Sequence, residues 1–396
     1  MRHDSNASSA VQVYGNKNFI NQHGWLERLE RELPRILDQV SDLVRRESPT
    51  SDSAAVEAVQ QHVVASILYA QTAYSCIVDA GMLEARFGDP ADHRRPVLLL
   101  GHLDTVWPVG TLAGMPWRVE GDWAYGPGSL DMKAGVVMAL EAIRLVREID
   151  PARPVVLLAS GDEETGSHRS RARIEAVARE CGAVFVLEPA QGPQGAYKTA
   201  RKGIGQFRLE VEGVPAHSGV DFTAGHSAVR ELAWQIEQIA ALTDPSQGTT
   251  VNAGVIGGGT QSNVVAAHAW AEIDLRVTTL AHAEAVTARM QALAPRDPGC
   301  RLKLSGGLNR PPMERTEGTA ALFEQARALA AEAGFVLEEA ATGGGSDGNF
   351  TSALGVPTLD GMGVVGRGAH AHNESFRVDS LAPRIALLAA MIATVE

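Results

Sequence analysis

The segment Val155-Val156-Leu157-Leu158-Ala159-Ser160-Gly161-Asp162-Glu163-Glu164 passes from unbroken apolar character into three adjacent carboxylates. A short apolar run closed by a turn is the pattern of a strand buried on both faces. Two other segments share it. Val97-Leu98-Leu99-Leu100 leads into Gly101-His102, and Ala183-Val184-Phe185-Val186-Leu187 leads into Glu188-Pro189. Helical patterns lie between them, over Met132 to Glu148 and Ser167 to Glu180. This alternation predicts an α/β fold with a mostly parallel sheet covered by helices on both faces. Such sheets bind ligands beyond the carboxyl ends of their strands. All three runs deliver polar residues to that edge.

Upstream, Leu26, Leu29, Leu33, Ile36, Val40 and Leu43 recur at helical spacing, with Pro34 expected to start or bend the helix. A second helix is expected over Ala54 to Tyr69. Downstream of Arg201 the period changes to two, in Phe207, Leu209 and Val211 and again in Ala269, Ala271, Ile273, Leu275 and Val277. Alternation of this kind marks antiparallel strands with one exposed face. Residues 202–309 therefore read as an inserted α+β domain, and residues 1–201 with 310–396 as one discontinuous main domain.

The composition narrows the function. In 396 residues, 45% hydrophobic and 21% charged content excludes disorder or a fibrous repeat as the main state. Lys and Arg number 35 against 47 Asp and Glu, and the net charge of −12 argues against a nucleic-acid partner. Cys76, Cys181 and Cys300 are scattered, which fits a reducing compartment better than a disulfide framework. No apolar run reaches the ~18 residues of a membrane span. Met1 to Asn21 is polar and lacks a signal-peptide core. A cytoplasmic protein with a loose extension over residues 1–21 and no membrane partner is the expectation.

His102 and Asp104 lie two apart at a strand end, on one face. A carboxylate beside a metal-binding imidazole fixes its tautomer, although the pair also suits a cap and a surface histidine. Asp131 sits in a Gly/Pro-rich turn before a helix, where it is a metal ligand or an N-cap. Asp162, Glu163 and Glu164 repel one another unless a cation neutralises them. Glu188 follows the third strand. His370 and His372, in a Gly-rich loop, ligate a metal or decorate the surface. Imidazoles and carboxylates without thiolate suit zinc, manganese or cobalt.

Taken together, GHLDTV, GPGSLDMKAG, SGDEETGS, LEPA, PAHSG, QSNVV, DLR, NRPPM, GGGSDG and GAHAHNE resemble, in content and order, the M20 metallopeptidase family and most closely its glutamate carboxypeptidase branch. The resemblance runs from about Val97 to the end of the chain. It implies a zinc-exopeptidase-like catalytic domain with an inserted lid and dimerisation domain. It implies two divalent ions, Zn²⁺ with Co²⁺ or Mn²⁺ as alternatives, held by His102 and Glu188 on one side, Glu164 and His370 on the other, and Asp131 bridging. His370 is preferred to His372 because Glu374 then falls at the family spacing. Asp104 would orient His102, Glu163 would be the general base, and a cis peptide would follow Asp131. His217 would reach the partner subunit's site in a homodimer. Asn263, Arg276, Arg310 and the glycine loop at Gly345 would meet the substrate. The implied reaction is hydrolysis of an amide bond by a hydroxide shared between the ions, releasing a C-terminal amino acid, glutamate first, from a small or peptidyl substrate with a free carboxylate.

Alternatives of the same chemistry are an aminoacylase or deacetylase of N-acyl amino acids and a dipeptidase. Of another class is a serine hydrolase, since Gly344-x-Ser346-x-Gly348 has the form of a nucleophile elbow, followed in order by Asp360 and His370. That reading leaves Asp104, Asp131, Glu163, Glu164 and Glu188 unexplained. A non-catalytic relative would have lost a ligand or Glu163, and none is lost. Two glycine triplets, Gly343-x-Gly345-x-x-Gly348 and Gly361-x-Gly363-x-x-Gly366, match a dinucleotide pattern but lack its strand-turn-helix context.

Overall fold

A computed structural model of the chain describes residues 18–70 and 73–396. Its central sheet has six strands in the spatial order Ser75–Asp79, Met82–Phe87, Val155–Ser160, Val97–His102, Ala183–Val186 and Thr358–Leu359. The first two are antiparallel, and the last four run parallel to one another. The three apolar runs are buried at every position. Their alternate residues feed two cores, because successive side chains of a strand face opposite ways. Val97, Leu99, Val155, Leu157 and Phe185 join the helices Trp25–Val44, Ala134–Ile149 and Leu381–Thr394. Leu98, Leu100, Val156, Leu158 and Val184 meet helix Arg171–Glu180 on the other side.

The connections place the site. From Val97–His102 the chain crosses to its neighbour Val155–Ser160, then passes back to Ala183–Val186 on the far side. The strand order therefore reverses at Val97–His102, and crevices open at such a point. His102, the Asp162-Glu163-Glu164 turn and Glu188 all follow strands at that edge.

A second, wholly antiparallel sheet has the order Thr250–Gly258, His268–Val277, Gly203–Glu212 and Arg301–Arg310. Helices Ala228–Ala240 and Leu280–Gln291 cover one face, with Phe207, Leu209, Ile273, Leu275, Leu232 and Met290 in a core of its own. A small sheet pairs Ser375–Arg377 with Trp123–Tyr125 and so joins the chain around His370 to the turn before Asp131.

Two local expectations need correction. The first helix starts at Trp25 and not at Pro34, which lies inside it. Its stripe of Leu29, Ile36, Val40 and Leu43 is buried, while Pro34 lies on the exposed side. The loose extension was expected to reach residue 21. Residues 1–17 lie outside the described residues, but Phe19–Gln22 is helical and Ile20 is fully buried in the core.

Helix Ala134–Ile149 is pressed against the end of the third run. A Cβ at Gly135 would lie 2.3 Å from the Leu187 carbonyl oxygen. We expect Gly135→Ala to cost about 1–3 kcal/mol through overpacking, read as a lowered denaturant midpoint. An unchanged midpoint would refute this account of how the helix seats beside Glu188.

Candidate metal centre

The site assembles from five loops. His102 is buried, and its Nδ1 lies 3.0 Å from the Asp104 carbonyl and 3.4 Å from the Asp104 carboxylate. A proton on Nδ1 leaves Nε2 free, facing Asp131 Oδ1 at 3.2 Å and Glu188 Oε1 at 3.8 Å. The other oxygen of Asp131 lies 3.3 Å from His370 Nε2, which is also 3.1 Å from Glu164 Oε2. Two donor sets result, His102-Asp131-Glu188 and Asp131-Glu164-His370, each with ligand atoms within 4.8 Å of one another. Asp131 belongs to both. The Asp131–Met132 peptide is cis. His370 occupies the left-handed region at φ 61°, and its neighbour His372 instead sits 5.6 Å from the Trp107 ring.

The electrostatics ask for a cation. Burial, reinforced by Asp131, pushes the Glu188 carboxyl up to about 7. Burial likewise raises Glu163 well above the carboxylate range, with Arg310 opposing. Hydrogen bonds donated to the Asp131 and Glu164 carboxylates raise His370 to about 10. Burial works against a charged His102, yet Asp104 and Asp131 outweigh it. Both imidazoles are thus drawn towards the protonated form by an excess of buried negative charge. Divalent ions would supply that positive charge directly, and a set of nitrogen and carboxylate oxygen donors without thiolate suits zinc or its neighbours. The residues present therefore fit a two-ion site.

Asp104 does more than face His102. Its carboxylate accepts the Thr50 hydroxyl at 2.7 Å and the backbone N–H groups of Glu163 and Glu164 at 3.3 and 3.2 Å. It therefore holds the turn that presents both glutamates. Glu163 Oε1 is in turn 2.9 Å from Arg310 Nη2, and Arg310 Nη1 is 2.7 Å from Asp347 Oδ1. Asp347 also accepts the hydroxyls of Ser160 and Ser167. Arg310, expected at the substrate, is buried and spends its guanidinium on Glu163, Asp347 and Ser167.

The remaining expected substrate residues lie on or beside the second sheet. His217 is exposed, and its Nδ1 accepts the Gly219 N–H. Asn263 is its neighbour, because Ser218 N–H donates to the Asn263 carbonyl at 3.0 Å. Arg276 pairs with Asp274 and donates to the Gly343 carbonyl at 3.4 Å, so it touches the glycine loop. In that loop Gly345 has no room for a side chain, since a Cβ would meet Ile204 at 2.7 Å and Arg310 at 2.9 Å. None of the contacts of His217 and Asn263 named here reaches the donor sets.

The serine-hydrolase arrangement does not form. Ser346 is fully buried and donates its hydroxyl to Asp360. Asp360 is held by Arg201 through two bonds of 2.7 Å, while His370 stands with Asp131 and Glu164. Sequence reasoning missed the supporting roles of Thr50, Arg201, Asp347 and Asp360. The glycine-rich motif around Asp347 was their one visible signal.

The sequence profile described as peptidase family M20/M25/M40 matches residues 98–394. Carboxypeptidase G2 of Pseudomonas sp. (strain RS-16) is 28% identical over 378 residues, covering 91% of this chain and 89% of that protein. Succinyl-diaminopimelate desuccinylase of Dinoroseobacter shibae is 29% identical over 320 residues, 74% of this chain and 81% of its own. Among solved structures, the aminopeptidase PepT of Bacillus cereus superposes with a TM-score of 0.76 at 24% identity, over 91% of this chain and 98% of that one. With a match of that extent laid over a mixed α/β fold and two adjoining His/Asp/Glu donor sets, the chain belongs to peptidase family M20/M25/M40 and is a metal-dependent hydrolase of the peptidase and amidohydrolase type.

Proposed function

We propose that this protein cleaves the amide bond that joins an acyl or peptidyl group to a C-terminal amino acid, glutamate first, with residues 202–309 acting as lid and dimerisation domain. One observation carries the reading: two donor sets share Asp131, and Glu163 stands beside them without belonging to either. The likeness to carboxypeptidase G2 supports a carboxyl-terminal leaving group. The likeness to the desuccinylase favours, as a second reading, hydrolysis of N-acyl amino acids by the same machinery.

Two divalent ions held by His102, Asp131, Glu164, Glu188 and His370, with Zn²⁺ the first candidate, would bring a shared water towards ionisation at neutral pH and polarise the scissile carbonyl. Glu163 accepts the proton of the attacking water at a carboxylate oxygen and returns it to the nitrogen of the leaving amine. Its burial suits that exchange, because a carboxyl raised above its ordinary range is a better proton acceptor. Arg310 fixes the direction of the Glu163 carboxylate. Asp104 fixes the turn beneath it and the tautomer of His102. Arg276, beside the glycine loop at Gly345, pairs with the substrate carboxylate, and Asn263 donates to a polar group of the substrate. His217 donates to the developing oxyanion from the lid of a second subunit. A dimer of this kind fits the second sheet, where Thr250–Gly258 is an edge strand with Val255 and Ile256 exposed.

Four outcomes test the reading. Metal-stripped protein should hydrolyse p-aminobenzoyl-glutamate or a folate only after Zn²⁺ is restored. If two ions bind and glutamate substrates stay intact, N-acetylornithine and dipeptides become the panel, and turnover of one of those would move the substrate while keeping the site. Glu163→Gln should keep its metal content and lose about 10²–10⁴-fold in kcat; full activity would remove Glu163 as the base. Arg276→Ala should raise KM for carboxylate-bearing substrates about tenfold or more with kcat nearly unchanged, whereas an unchanged KM would move the anchor elsewhere. Ile256→Lys should shift the protein to monomers in sedimentation and abolish turnover, and mixed dimers of His217→Ala with His102→Ala should regain part of it. A fully active monomer would refute the shared site.

A further inference from the structure

Glu374 binds neither donor set, yet it is tied to both loops that bring Asp131 and His370 together. It is fully buried and lies four residues after His370. Its Oε1 accepts the backbone N–H groups of Leu130 at 2.9 Å and Asp131 at 3.1 Å. Its Oε2 accepts the Gly128 N–H at 2.9 Å and the Trp107 indole N–H at 2.7 Å. On its main chain, the Glu374 N–H donates to the Ala371 carbonyl at 2.8 Å and so closes the turn that follows His370. The carboxylate thus fills a concave group of N–H dipoles belonging to the Gly128–Asp131 turn. Asp131 is the one residue common to both donor sets, so a displacement of its turn moves a ligand of each.

We propose that Glu374 is the positioning residue of this centre: it locks the turn carrying Asp131 to the loop carrying His370 and thereby sets the strength of divalent-metal binding. The inference rests on the metal-dependent reading above. Glu374 acts through Asp131 and touches neither substrate nor reacting atoms. Groups that orient metal ligands typically govern affinity by about 10- to 100-fold. Glutamine at this position would turn an amide NH₂ towards a pocket made of N–H donors. Two of the four hydrogen bonds to this carboxylate would be replaced by opposed donors.

The test is Zn²⁺ affinity, measured on metal-stripped full-length protein by competition with a chromophoric chelator, together with the visible absorption of the Co²⁺-loaded form. Glu374→Gln should bind Zn²⁺ about 10- to 100-fold more weakly and show an altered Co²⁺ spectrum. Glu141→Gln, which breaks the pairing of Glu141 with Arg35 further along the helix that follows the turn, controls for general loss of stability and should keep wild-type affinity. Wild-type affinity and spectrum in folded Glu374→Gln would overturn the inference alone. Should that variant not fold, Trp107→Phe decides, since it removes a single donor from the same carboxylate. It should weaken Zn²⁺ binding about threefold or more, and unchanged affinity would overturn the inference. Absence of Zn²⁺ binding by the wild-type chain would instead overturn the metal-dependent reading, and this inference with it.

Discussion

Carboxylates gathered at one sheet edge repel one another, and the loops around that edge are built to oppose this. Asp131, Glu163, Glu164 and Glu188 crowd around two imidazoles. Their mutual repulsion and burial are largest where water is excluded, as the raised Glu163 and Glu188 carboxyls record. Such a cluster keeps its shape only if each member is held by something other than its neighbours. Two further buried carboxylates do this. Asp104 takes the N–H groups of Glu163 and Glu164, and Glu374 takes those of Leu130 and Asp131. In both, a negative group that ligates nothing fixes the backbone of turns that present ligands.

Buried arginines complete the frame from the other side. Arg201 grips Asp360 and the carbonyls of Gly344 and Gly345, and Arg310 grips Glu163 and Asp347. Arg310 is the last residue of a strand in the second sheet, whereas Glu163 follows a strand of the first. The two sheets therefore meet at Glu163.

Much of this was legible in the chain. The three apolar runs announced a parallel sheet because burial on both faces leaves no room for alternation, and the residues after them proved to share one edge. Period-two patterning marked Gly203–Glu212 and His268–Val277, but not Thr250–Gly258, whose mixed exposure at a sheet edge carries little signal. Pro34 misled as a helix start because the buried stripe of Leu29, Ile36, Val40 and Leu43 on the other face carries the helix through it. Ile20 was hidden in a polar stretch, since it and the adjacent Phe19 make no periodic pattern until a core exists for them to enter.

The residue types and their order determined the class of chemistry: imidazoles and carboxylates after buried strands, without thiolates, allow few sites other than one for hard or borderline divalent ions. Tertiary structure supplied the physical reason one neighbour faces the site and the other does not. His370 rather than His372 meets Asp131, because the left-handed backbone at His370 and the Glu374 clamp turn one ring inward and leave the other beside Trp107. Arg310 faces Glu163 because its strand ends there. Spacing along a chain sets which residues come near a site, but hydrogen-bond directions between segments far apart in sequence set which atoms face it.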